Sequence, residues 1–325
     1  MKVIQAITTL ISKYLPVWIV LLSFIAYFFP NVFIPIRSWT GAGLGMIFLL
    51  MGMSLSAEKL FAVIRNPKHA LLGVFLKWSI MVTVTIAIAY LFFQENAEIA
   101  TGLILAGTVP SGTSANIYTF IAGGEAALSI TMATMDTFIS PVLTPTLVQV
   151  FAGKLIPIAF WPLFINIIYI VFIPLLTGLL LQWKWAKRIE VVKPYTAVLS
   201  QLALFIVVLS VISNAQPSLQ DNLSVLPKIF LAVFFQVTIP MVAGYIIAKS
   251  MKVPEENARA ILFHTGICNT ALAATLAMEH VSSLAAVPAV ANMVVNLTIG
   301  AIVANLFARR KWKQPDANPF KSTVT

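Results

Sequence analysis

Ten apolar segments, each roughly 18–27 residues long, account for most of this chain, at about 12–30, 39–56, 70–92, 97–121, 126–152, 156–182, 195–214, 225–248, 256–278 and 285–308. About 20 such residues cross a bilayer as a helix. Lipid offers no hydrogen-bond partner to a bare backbone, so spans of this length are helical. Only 10% of the 325 residues are charged, far below the roughly 25% of an ordinary soluble domain. The expectation is an all-α membrane protein with ten transmembrane helices. A rival count of nine merges or discards the proline-rich 156–182 segment. The first apolar run reads as a retained span, because no cleavage region follows it.

The formal charge of +10 does not point to nucleic acid, because the basic residues sit in short connections between apolar runs. With both termini in the cytoplasm, all but four of the 21 basic residues fall on the inner side; Arg37, Lys154 and Lys228 lie outside and Lys77 lies within a span. That asymmetry follows the positive-inside rule and indicates a multi-pass protein of the inner or plasma membrane. The Trp183–Arg188 sequence and the basic residues at 309–313 read as interfacial anchors of that topology. One cysteine, Cys268, excludes an internal disulfide framework. Membrane lipid is the surrounding partner, and a monomer is expected.

Two short polar stretches interrupt the apolar pattern: Gly107-Thr-Val-Pro-Ser-Gly-Thr-Ser-Ala-Asn116 in the fourth segment and His264-Thr-Gly-Ile-Cys-Asn-Thr270 in the ninth. Irregular backbone persists at membrane depth only where protein or a water-filled cavity satisfies it. Ten helices divide into five plus five, and an odd number per repeat inverts the second half. The fourth helix then corresponds to the ninth. Matching interruptions in two inverted halves point to the binding site of a secondary transporter. The repeats are assigned to residues 1–152 and 153–310, followed by a basic cytoplasmic tail at 311–325, with the 183–194 connection as a candidate hinge.

Inside the spans stand one base, Lys77, and one acid, Asp136. A charge at such depth costs several kcal/mol on its own, about 2.5–3.5 on insertion scales, so these two are expected to face the interior and each other. The alternative for Lys77 is a snorkelling stem that reaches the inner interface. His264 can carry a proton near neutral pH, or serve as a neutral hydrogen-bonding residue toward Thr113 or Asn116. The hydroxyls and amides of Ser111, Thr113, Ser114, Asn116, Ser129, Thr134, Asn269 and Thr270 can complete the hydrogen bonding of a desolvated ligand. Helix ends at the breaks favour an anion through their N–H groups, or a cation through their carbonyls. The same small residues also suit ordinary close packing of helices.

The chain resembles the bile acid:sodium symporter family in its bacterial branch. The resemblance rests on Met51-Gly-Met-Ser-Leu55, the Ser-Ala-Asn sequence ending at Asn116, Ala127-Leu-Ser129, Ser140-Pro-Val-Leu-Thr-Pro145 and the run from Gly266 through Asn269-Thr-Ala-Leu-Ala. It implies a panel of helices one, two, six and seven and a core of helices three, four, five, eight, nine and ten, with broken helices four and nine crossing in the core. It further implies uptake of bile-acid-like or pantoate-like carboxylates with two sodium ions bound behind the crossing. By position, Thr113, Asn116, Asn269 and Asn296 lie near substrate, and Asn116 and Ser129 contribute to the first sodium site.

The departures from that pattern fall on the ion ligands. His264 stands where sodium-binding members carry a Glu, Cys268 and Lys77 where they carry Gln, and Ala133 in place of a ligating threonine, while Asp136 occupies a usually uncharged position. Sodium wants oxygen ligands, and an ammonium in an ion pocket repels it. The expectation is a secondary transporter of a small organic anion, sodium-independent or proton-linked, with no cofactor and no metal site. Substrate contacts are assigned to Thr113, Asn116, Asn269, Asn296 and His264. The ion-coupling or ion-surrogate set is Lys77, Asp136, Ser114, Ser129, Thr134 and Cys268. The alternatives are a sodium-coupled symporter with altered ligands and a channel. A membrane enzyme lacks a recognisable catalytic motif here, and a receptor differs by binding ligand without moving it.

Overall fold

The computed structural model describes residues 14–54, 67–221 and 223–309. Lys2, Lys13, Lys59, Arg65 and the 311–325 tail lie outside the described residues, so the inner-side charge expected of them has no structural counterpart here. Every named element among the described residues is helical.

In chain order the helices are α1 (Leu15–Phe28), α2 (Pro30–Ser54) and α3 (Lys68–Phe92), α4 (Ala97–Gly107), α5 (Ser114–Ile121) and α6 (Ala126–Phe151). They continue with α7 (Phe160–Lys184), α8 (Ala186–Asp221), α9 (Leu226–Ser250), α10 (Glu255–Gly266), α11 (Thr270–His280) and α12 (Val287–Arg309). Seven stretches among the described residues are long and apolar enough to cross a membrane unbroken. The fourth and ninth apolar segments are each split in two, at the polar stretches that interrupt the sequence.

The boundaries follow local chemistry. The Asn96 side chain accepts from the Ile99 N–H and so caps α4. Pro110 has no N–H to continue that helix and pushes Val109 out of the helical region. Glu125 accepts from Ala127 N at the start of α6. Asn269 does the same for α11 by accepting from Leu272 N at 3.1 Å. The expected 183–194 connection is not a loop. After a single break at Trp185, residues from Ala186 onward already form the first turns of α8.

Small residues set the closest approaches. Gly52 of α2 lies against α7, where an added Cβ would stand 3.0 Å from the Leu179 nitrogen and 3.1 Å from the Gly178 Cα. Such contacts bring backbones together where lipid supplies no hydrophobic drive. The interior is otherwise apolar and continuous, with Phe48, Leu103, Ile104, Leu163 and Phe263 among its fully buried members. A cluster of polar and charged groups, Lys77, Asp136 and His264 among them, interrupts it at the two helix breaks.

Candidate functional site

The two breaks meet as antiparallel backbone, Ser111 paired with Cys268. Gly112 N donates to the Ile267 carbonyl at 3.1 Å, and Asn269 N donates to the Pro110 carbonyl at 2.8 Å. A Cβ on Gly112 would stand 2.6 Å from the Cys268 oxygen, so only glycine admits this spacing. Other freed groups also find partners. Thr144 donates its hydroxyl to the Thr108 carbonyl at 2.6 Å, and Lys77 donates to the Val109 carbonyl. Asn296 Nδ2 donates to the Cys268 carbonyl at 3.3 Å. Much of the backbone that leaves the helices is thus paired, as burial favours.

Lys77 and Asp136 belong to this accounting. Lys77 begins a π-helical turn, Lys77–Met81, inside α3, a kind of irregularity frequent at functional sites. Its Nζ is 3.8 Å from Asp136 Oδ2, with side-chain exposures of 1% and 0%. It also lies 3.7 Å from the centre of the Trp78 ring, within cation–π range. Asp136 accepts from Trp78 Nε1 at 2.8 Å on one oxygen and from Ser111 N at 3.1 Å on the other. His264 Nε2 approaches Asp136 Oδ2 at 3.3 Å, without the alignment of a hydrogen bond, so neither ring nitrogen has one among the described residues. The snorkelling alternative for Lys77 is not what the structure contains.

A crevice of about 410 Å³ lies on the other side of the crossing, between α1, α2 and α8 and the breaks themselves. Thr113, Ser114, Asn116, Cys268, Asn269 and Asn296 line one wall, with Thr196, Ser200 and Gln201 opposite. Among the described residues that line it, none carries a charge. The first turns of α5 and α11 border it, so it has hydroxyls, amides and helix N-termini with which to receive an anion. Asn116 Oδ1 accepts from Ser129 Oγ at 2.7 Å, which leaves the amide NH₂ of Asn116 free to donate elsewhere.

The expected residues therefore divide in two. Thr113, Asn116, Asn269 and Asn296 come together at the crevice. His264, expected with them, is instead fully buried beside Lys77 and Asp136. Ser114, expected with the ion group, lines the crevice, and the buried Cys268 borders both the crevice and the Lys77–Asp136 pair. Ser129 stands one step behind, against Asn116, and Thr134 gives its hydroxyl to the Ile130 carbonyl of its own helix.

Sequence reasoning missed Trp78, although an indole beside a buried lysine is a signal in itself. It also missed Gln236. That buried side chain donates to Thr85 Oγ1 and to the Leu103 carbonyl, both at 2.9 Å, and accepts from Asn292 Nδ2 at 2.8 Å. Asn292 in turn accepts from Asn296 at 3.2 Å. A lone amide in an apolar span was the available sign.

The donors around Lys77 do not suit sodium. The ammonium takes up the Val109 carbonyl and faces the Asp136 carboxylate, and the next neighbour is an imidazole rather than an oxygen ligand.

Comparison with known proteins agrees with this architecture. The profile described as the Sodium Bile acid symporter family matches residues 42–222. A Bacillus subtilis protein named as an uncharacterized sodium-dependent transporter, YocS, is 30% identical over 315 residues, covering 97% of each chain. The rice chloroplast protein named as a probable sodium/metabolite cotransporter, BASS2, is 29% identical over 98% of this chain and 75% of its own. A human protein named as a sodium-dependent organic anion transporter is 23% identical over 75% of this chain and 66% of its own. The chain is a membrane transport protein, not an enzyme, and belongs to the sodium bile acid symporter family.

Proposed function

We propose that this protein is a secondary transporter of a small organic anion, bile-acid-like or pantoate-like, in which the Lys77 ammonium replaces a bound cation behind the helix crossing. Transport is then sodium-independent or proton-linked. The observation that carries this reading is the Lys77–Asp136 pair, buried at 1% and 0% exposure and joined to both breaks through Val109, Ser111 and His264. A permanent internal cation holds the carbonyl and carboxylate that a sodium ion would otherwise need.

The finer architecture belongs to the same proposal. Seven unbroken spans, the shorter helix α1 and the two broken pairs add up to ten crossings in two inverted repeats, with both termini in the cytoplasm. The crevice then lies between a panel of helices one, two, six and seven and a core of the other six. Panel and core move relative to one another, giving alternating access in a monomer. Polar groups gathered at one place, the two helix breaks, support a carrier over a channel, which needs a continuous polar path.

A second reading, a sodium-coupled symporter with altered ligands, is favoured by the printed names of the Bacillus and rice relatives, both of which mention sodium. A thermal-shift screen of small carboxylates and bile salts, run in choline and in sodium buffers, separates the two. The proposal expects the same ligand to stabilise the protein equally in both. A stabilisation that appears only with sodium supports the second reading.

A further inference from the structure

The crevice lies toward one end of the helices that line it. Its wall along α2 runs from Ile47 to Ser54 and along α8 from Thr196 to Leu204, the ends that adjoin the basic segments containing Lys59, Arg65, Lys187 and Arg188. By the charge rule this end faces the cytoplasm. At the opposite end α2 and α7 hold the last turn of α11. Asn166 Nδ2 of α7 donates to Glu279 Oε2 at 2.6 Å. Arg37 Nη2 of α2 donates to the Met278 carbonyl at 3.4 Å. Gly41 lies against the other Glu279 oxygen, where an added Cβ would stand 3.7 Å away.

These contacts join the downstream half of a broken helix to α2 and α7, at the end away from the crevice. We propose that Glu279, held by Asn166 and assisted by the Arg37–Met278 contact, is the outer latch of the carrier, and that the structure is its inward-open state. This rests on the alternating-access reading. Glu279 and Arg37 are exposed and Asn166 is half-buried, and an exposed polar contact biases an equilibrium by no more than roughly fivefold. Such a contact is strong enough to favour one state and weak enough to release in every cycle. A buried ion pair at the same place would hold that end closed. The latch also fits the inverted arrangement of the site: the half-helix it holds, α11, begins at Asn269 on the crevice wall and ends at the outer face. Release of Glu279 frees the far end of the same rigid segment whose near end contacts the cargo.

The test needs no substrate: Cys268, the single cysteine of the chain, is buried, so Ser200→Cys in a Cys268→Ser background places one reachable thiol on the crevice wall. Full-length protein in right-side-out and inside-out vesicles is treated with a membrane-impermeant maleimide, and labelling from each face is measured. This single-thiol parent is expected to label from the inner face. Asn166→Asp sets carboxylate against carboxylate and should raise the outside-to-inside labelling ratio by roughly fivefold or more. Adding Glu279→Gln to that variant restores an amide–carboxylate hydrogen bond in the reverse sense and should return the ratio to its starting value. Asn166→Ala, which removes the donor without new charge, should give an intermediate ratio. The latch is overturned if the ratio is unchanged by either Asn166 substitution, if adding Glu279→Gln fails to reverse it, or if the single-thiol parent does not label from the inner face. Shifts of the ratio in a protein that moves no anion would leave the latch standing and remove only the transport reading.

Discussion

Lys77 Nζ lies 3.8 Å from Asp136 Oδ2 with both side chains shut off from solvent, and each of the two also binds backbone from the first helix break, Lys77 at the Val109 carbonyl and Asp136 at the Ser111 N–H. The pair therefore fastens α3 and α6 to the unwound segment between α4 and α5. Its electrostatics and the local backbone geometry depend on each other.

Removal of one partner should be worse than removal of both. Lys77→Gln or Asp136→Asn alone leaves a buried charge without its counter-ion, which costs about 3–5 kcal/mol. The double variant should unfold at a higher temperature than either single one. Thermal unfolding of the four proteins in one detergent, read as a double-mutant cycle, measures this. Additive losses would mean that the two groups do not act as a pair.

The close approach of the breaks gives a steric prediction. Gly112→Ala places a methyl group 2.6 Å from the Cys268 carbonyl oxygen, so the bridge must spread. We expect a loss of about 1–3 kcal/mol, typical of an overpacked interior, together with lost transport. Ser200→Ala, on the facing wall of the crevice, should leave stability unchanged when the two are compared by thermal unfolding.

The location of the site was legible in the sequence because membrane depth makes polarity expensive. Lys77, Asp136 and the stretch around Pro110 stand out against apolar neighbours, and each has one economical explanation. Their partners were not legible. Trp78 and Gln236 look like ordinary span residues until helices distant in sequence bring Asp136 to one and Asn292 to the other. The same limit applies to His264: its position at the break was evident, but which face of α10 it occupies depends on packing. Residues 186–194 read as a connection because they are charged and end in Pro194, yet they form the first turns of α8, which continues through that proline.

Gln236 should act on the crevice from a distance. Gln236→Leu leaves the Asn292 amide without its acceptor, at a cost of about 1–3 kcal/mol, and frees Asn296 to turn. The expected signature is a raised KM for anion uptake beyond what the stability loss explains. Gln236→Glu keeps an acceptor for Asn292 and should recover part of the affinity.

Stability should also depend on pH through Glu255, at the inner end of α10 and 8% exposed. Burial pushes its carboxyl upward, but hydrogen bonds from Arg259, Lys249 and Tyr245 outweigh that and hold it below the ordinary value of 4.5. Stabilisation from this group is complete above the ordinary value and is lost as pH falls through the lowered one. The wild type should lose more thermal stability than Glu255→Gln between pH 6 and about pH 3, and the variant should be the less stable at pH 7 by about 1.5–3 kcal/mol.

The central claim is that a resident ammonium does the work of a bound sodium ion. Its most direct test is uptake of a radiolabelled anion, chosen from the thermal-shift screen, into proteoliposomes with sodium gradients imposed or abolished at constant pH. Uptake by the wild type should be the same with sodium on either side or replaced throughout by choline, and Lys77→Gln should lower it in every condition. Uptake that appears only with an inward sodium gradient would contradict the claim.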